Sequence, residues 1–223
     1  MSINYQVQRS ARSRNLRLKI NANGSVVVSA PPRASDQLIA RFVESNMDWI
    51  TRNLAKVTAR KVQLDPDQLM VFGQTYQREI HDGDHRVGIH PVFIQDGKIH
   101  LQPVSNTKAS IQRTFETFLK TTAQKYIVPR TKQLAELMNI TYTTLTLRDQ
   151  KTRWGSCSSQ GGLNFNWRLV QYPTAVIDYV IVHELAHRRE MNHSNRFWAI
   201  VAKFDPEYNA HRKWLQRYGS TLD

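Results

Sequence analysis

The stretch "VIVHELAHRREMNHSNRFW", residues 180–198, sets three histidines and a glutamate inside an otherwise apolar, helix-like segment. An α-helix turns by about 100° per residue, so His183 and His187, four apart, stand about 40° from each other on one face, one turn apart. Two imidazoles so placed can meet one ion. Glu184 lies beside that face, within reach of a water next to the ion without being a ligand itself, the division of labour of the H-E-x-x-H pattern. Upstream, Pro173 occupies a first helical position, and Val176, Ile177, Val180, Ile181 and Leu185 supply the apolar content of the helix. Downstream, His193 follows Asn192, a residue that tolerates the left-handed conformation that ends a helix and turns the chain back toward the same ion. Three neutral imidazoles leave a fourth position open, as in a catalytic zinc site; closed structural sites usually use more cysteine. One zinc ion is the expected cofactor.

The rest of the chain bounds the setting. Its 223 residues suffice for a core that stands without disulfides. The single cysteine, Cys157, has no internal partner, and "MSINYQVQRS" lacks the apolar segment of a secretory signal, so a reducing cytoplasm is expected. The apolar run "AVIDYVIV" is broken by Asp178 and falls short of the roughly 20 residues of a membrane span. A net charge of +13 and a pI near 10.1 create a positive field that favours anionic ligands, nucleic acid among them, without choosing between them. Arg9, Arg12, Arg14, Arg17, Lys19 and Arg33 all precede the first acidic residue, Asp36. The alternation in "LRLKI" reads as a solvated strand face, with a phosphate-binding patch as the alternative.

Periodicity implies an α+β protein. "LRLKI" and "SVVVSA" flank "NANG", where Asn23-Gly24 signals a hairpin over residues 15–30. Ser35 or Asp36 caps a following amphipathic helix that runs through Ile39, Val43 and Ile50 to about residue 60. Strand-like runs "LMVF", "YQREI", "PVFI" and "KIHL" are separated by the turn signals "HDGD" and "QDGK". From Thr107 the period becomes helical, with Pro129 expected to break or kink the run. "TTLTLRD" and "RWGSCSSQGGLNFNWRL" follow as three more strands, with a turn at Gly161-Gly162, and helices begin near Pro173, near Ser194 and within "YNAHRKWLQRY". We expect a small N-terminal sheet-and-helix lobe over residues 1–104, and a zincin-like C-terminal helical lobe with a short sheet over residues 105–223.

The segment "RWGSCSSQGGLNFNWRLVQYPTAVIDYVIVHELAHRREMNHSNRFWAIV" resembles the C-terminal signature of the YgjP-like metallopeptidase-like family, relatives of the zincins and of SprT-like proteins. The resemblance covers about fifty contiguous residues, from Trp154-Gly155-Ser156-Cys157 to Phe197-Trp198; the first half of the chain carries no sharp motif. It implies that His183, His187 and His193 ligate zinc and that Glu184 is the catalytic glutamate, the same four residues that spacing selects. The spacing also equals that of metzincins, but their glycine position is Glu190 here and no Met-turn is recognisable, which removes that subclass. By the same resemblance "GLNFNW" is the strand that receives extended substrate. Asn166 is then a substrate-binding candidate, with a structural role weighing equally. Arg153 is a second candidate, for oxyanion or phosphate charge, against an ordinary surface arginine. Cys157 reads as a small buried side chain. Trp154, Trp167, Phe197 and Trp198 read as packing around the metal helix. His81, His85, His90, His100 and His211 read as ordinary surface or core residues.

The expected function is a zinc-dependent hydrolase, with peptide cleavage leading. A nucleoside triphosphate pyrophosphatase or phosphohydrolase is the alternative, favoured by the positive field and by Arg153, Arg188 and Arg189; it would lack a P-loop, since no G-x-x-x-x-G-K-[ST] occurs. A DNA-associated protease of SprT-like type is a second alternative, with no DNA-reading module to support it.

Overall fold

The computed structural model describes residues 3–21, 24–60, 67–81, 91–150 and 152–219, without the side chains of 56–60. The "HDGD" turn signal, His85 and His90 lie outside these residues, as does Asn23. The architecture is α+β. Two compact units form, one on residues 1–63 and one on residues 64–216, each with its own apolar core. Residues 64–104 group with the second unit, where Val71, Val92, Ile99 and Leu101 are buried in one core with the long helix that follows them.

In the first unit, β1 (Tyr5–Arg9), β2 (Arg17–Ile20) and β3 (Val26–Ala30) form a sheet with β3 in the middle, parallel to β1 and antiparallel to β2. The central strand is also the most apolar, and Val26, Val27, Val28 and Ala30 are all buried. On β2 the alternation sorts as expected: Arg17 and Lys19 are exposed, while Leu18 and Ile20 pack toward the core. Ser35 caps α1 (Asp36–Ser45), its Oγ accepting from the Leu38 amide at 3.2 Å. The single helix expected to residue 60 is two, because Asn46 stops it. The Asn46 side-chain amide donates to the Phe42 carbonyl at 2.8 Å and its backbone N–H reaches Val43, after which α2 (Met47–Arg60) starts afresh.

The second unit opens with a four-stranded sheet, β4 (Gln68–Val71), β5 (Gln74–Ile80), β6 (Val92–Gln95) and β7 (Lys98–Leu101), in the order β4-β5-β7-β6. Asp96 (φ 50°) and Gly97 (φ 73°) make the two-residue β6–β7 turn that "QDGK" announces. Helix α3 (Lys108–Met138) then continues through Pro129 without the expected break. Phe115, Leu119, Ala123, Ile127, Leu134 and Met138, on both sides of the proline, are buried in the same core, and this packing outweighs the one lost backbone hydrogen bond. A small sheet of β8 (Thr144–Arg148), β9 (Gly155–Cys157) and β10 (Gly162–Asn166) has the order β8-β10-β9. A 3-10 turn (Trp167–Gln171) leads into α4 (Thr174–Ala186), α5 (Asn195–Phe204) and α6 (Tyr208–Tyr218). No helix among the described residues is long and apolar enough to cross a membrane.

Two contacts set α4 in place. Arg130 of α3 grips Asp178 with two nitrogens, Nε at 3.1 Å and Nη2 at 2.7 Å, which accounts for the charge inside the apolar run. At the other end, the β4–β5 turn abuts the start of α4: the amides of Phe72 and Gly73 donate to the carbonyls of Val170 and Gln171 at 2.7 and 3.0 Å. Gly73 has φ 77°, and a Cβ there would stand 2.8 Å from Pro173 Cγ and 3.0 Å from its Cα. Gly73→Ala should therefore lower stability by about 1–2 kcal/mol from the left-handed backbone, and by more from the proline clash. Urea unfolding of the two proteins measures it; an unchanged midpoint would remove this turn as the anchor of α4.

Candidate metal centre

Helix α4 is buried nearly all round: Val176, Ile177, Tyr179, Val180, Ile181, Val182, Glu184, Leu185 and Ala186 are inaccessible. Such a helix carries polar groups only where something compensates them. His183 sits in its last turn and His187 caps its end with helical backbone angles, so the four-residue spacing holds across the boundary. The turn that returns the chain differs from expectation. Among the described non-glycine residues only Phe72, Asp96 and Asn139 have positive φ, so Asn192 is not left-handed. Its side-chain oxygen instead accepts from the Ser194 amide at 3.0 Å, and Ser194 in turn caps α5 through the Phe197 amide.

This turn delivers His193. Its Nε2 lies 3.0 Å from His183 Nε2, and one ring nitrogen from each of His183, His187 and His193 falls within 4.8 Å of the others. Nδ1 of His187 is 3.1 Å from the Glu190 carbonyl; donating there leaves the other nitrogen free, the orientation a ligating histidine needs. Nδ1 of His183 is buried and has no hydrogen-bond partner. Phe197, fully buried on α5, lays its ring 4.5 to 4.9 Å from all three imidazoles, and Trp198 stacks on His193 at 5.6 Å. Burial pushes His183 down to about 3, with His187 and His193 adding to the shift, and burial also lowers His187. Both rings are thus neutral at pH 7, the form that binds a metal. Three converging ring nitrogens, one set by a backbone carbonyl, fit a zinc-class ion with a position left open.

Glu184 is 7% exposed, and burial pushes its carboxyl up to about 8, with the Arg153 charge pulling the other way. It lines a cavity of about 210 Å³ together with Arg153, Gly155, Tyr179, His183 and Leu215. Gly155 makes the room: a Cβ there would meet Glu184 Cγ and Oε1 at 2.7 Å each. No sequence signal beyond its place in Trp-Gly-Ser-Cys marks that glycine. Tyr179, one turn before His183, was likewise missed; burial raises its hydroxyl to about 12.

The expected substrate-side residues separate. Arg153 lines the cavity beside Glu184. Asn166 does not reach it. The residue is 2% exposed, donates to the Gln150 carbonyl at 2.8 Å and accepts from the Arg168 amide at 3.0 Å, capping the 3-10 turn; of its two expected roles the structure shows the structural one. "GLNFNW" is not the receiving strand either, because β10 is flanked by β8 and β9 and has no free edge. Arg188 donates to the Thr141 and Ser159 carbonyls and Arg189 to Met138 and Asn139, so these two guanidinium groups tie loops together instead of facing the cavity. Burial raises the Cys157 thiol, which is unsuited to a nucleophile.

No curated protein matches the chain. Two solved structures share local similarity: the metallopeptidase zymogens abylysin of Pyrococcus abyssi (20% identity, TM-score 0.35) and jannalysin of Methanocaldococcus jannaschii (21%, 0.36). Each overlaps 40% of this chain, and 95% and 92% respectively of its own. The family profile of the YgjP-like metallopeptidase domain matches residues 14–218, both units and the whole histidine cluster, and the chain accordingly belongs to the YgjP-like family of metal-dependent peptidases.

Proposed function

We propose that the protein is a zinc-dependent peptidase in which His183, His187 and His193 hold the ion and Glu184 is the general base. The observation that carries this reading is the convergence of three ring nitrogens within 4.8 Å beside a buried carboxyl on the adjoining residue. When bound, zinc supplies Lewis acidity, which acidifies water and polarises a carbonyl. Glu184 supplies the proton transfer. Burial raises its proton affinity, so its ionised form takes a proton from the attacking water and the resulting acid returns it to the leaving amine. Arg153, on the same cavity, balances negative charge that develops on the substrate oxygen.

The strand that suits an extended peptide is β9. The Trp154 carbonyl and the Ser158 amide bond to β10, so by strand alternation the backbone groups of Gly155 and Cys157 face the opposite side, the free edge of the sheet. A peptide added there would run past Glu184, whose side chain touches Gly155. Among the arginines expected to favour a nucleotide, only Arg153 lines the cavity. We place the protein in the cytoplasm on the strength of its unpaired Cys157.

The deciding experiment compares zinc-loaded protein with Glu184→Gln on a peptide library, with nucleoside triphosphates in parallel. Peptide hydrolysis should fall at least 10²-fold in the variant while zinc content stays constant. Triphosphate hydrolysis abolished by the same substitution, with no peptide turnover, would overturn the reading. In elemental analysis, His193→Ala should hold about one zinc fewer than wild type; an unchanged zinc content would remove His193 from the ligand set. Gly155→Ala should keep zinc yet lower kcat at least about 10-fold by displacing Glu184. Full kcat in that variant would show that the carboxylate does not depend on the space the glycine leaves.

A further inference from the structure

Strands β5 and β7 carry a second convergence of ligand atoms. Glu79 and His81, two apart, lie on one side of the β5 end, and Glu79 stands opposite His100 in the parallel β5–β7 register. His81 Nε2 is 2.8 Å from His100 Nδ1 and 3.7 Å from Glu79 Oε1, and one ligand atom from each of the three residues lies within 4.8 Å of the others. None of these residues belongs to the Glu184 cavity. The nitrogens of two imidazoles on one tetrahedral zinc stand about 3.3 Å apart, given zinc–nitrogen bonds of about 2.0–2.1 Å. The rings here need to open by only a few tenths of an ångström.

The surroundings orient the group. Phe93 of β6 stacks on His100 at 4.6 Å with an interplanar angle of 8°, and the His81 ring meets His100 edge to edge, 5.1 Å between centroids, so His100 is held against Phe93 with its Nδ1 aimed at His81. Lys98 holds Glu79 Oε2 at 2.7 Å, which leaves Oε1 toward the histidines. The carboxyl sits below its ordinary value chiefly because of the Lys98 hydrogen bond, and it is ionised at neutral pH. All three ligands are half-buried, within reach of an ion from solvent.

We propose that Glu79, His81 and His100 form a binding site for a divalent transition-metal ion of the zinc class. Two imidazoles and one carboxylate favour such an ion over calcium or magnesium, which take oxygen ligands. Lys98 has two effects: it orients the carboxylate, and its own charge opposes the cation, which makes this the weaker of the two clusters.

Zinc titration of tag-free, full-length protein tests the assignment. Wild type should bind two equivalents, and a His187→Ala/His193→Ala variant, in which the first cluster is dismantled, should still bind one. Glu79→Gln should weaken the second equivalent at least 10-fold, His100→Leu should abolish it, and Lys98→Met should tighten it several-fold. Circular dichroism of the metal-free variants checks that each is folded. No binding by the His187→Ala/His193→Ala variant, or a second equivalent that persists unchanged in both Glu79→Gln and His100→Leu, overturns the proposal. Neither result bears on zinc at His183, which is read from the first equivalent.

Discussion

The histidine cluster depends on polar groups tolerated inside a helix that is otherwise buried on nearly every side. An ionised or unpaired group at such a place costs several kcal/mol. Each polar residue of α4 meets that cost differently. Asp178 is gripped by Arg130 from α3, burial favours the neutral form of His183 and raises the proton affinity of Glu184, and His187 reaches the end of the helix, where a backbone carbonyl is within range. Burial therefore creates the chemistry. It raises the proton affinity of the carboxyl and frees imidazole lone pairs, and both changes suit hydrolysis at neutral pH.

Helix α4 is held by parts remote in sequence. The β4–β5 turn bonds to the residues just before it, α3 ties to its middle, and β9 lies against Glu184. These contacts explain why residues 64–104 share a unit with α4. Their strands bury apolar side chains against α3 and supply the turn that fixes where α4 begins.

Local features were legible in the sequence, and long-range ones were not. The hairpin through Gly24, the Asp96-Gly97 turn, the Ser35 cap, the helix start near Ser194 and the histidine spacing all follow from chemistry within a few residues, and these features form as expected. Pro129 misleads because packing along a 31-residue helix outweighs one proline. Asn192 acts through its side chain and not through a left-handed backbone, and Asn46 interrupts with its side chain a helix that apolar periodicity alone runs through. Gly155 and the pairing of His100 with Glu79 depend on strand register, which no local pattern encodes. The order β8-β10-β9, which leaves β9 at the edge, is invisible for the same reason.

The three imidazoles, the glutamate and the aromatic ring that packs against the imidazoles all lie between His183 and Phe197. Closing so short a loop costs little chain entropy, because that cost grows only with the logarithm of loop length. The histidine cluster is accordingly a low-contact-order element, able to assemble before the distant strand pairings of the sheets are complete. An ion present during synthesis would find its ligands early and bias the α4–α5 hairpin toward its native geometry. The slower, nonlocal step is left to β9, which must bring the wall of the cavity up to a carboxyl already in place.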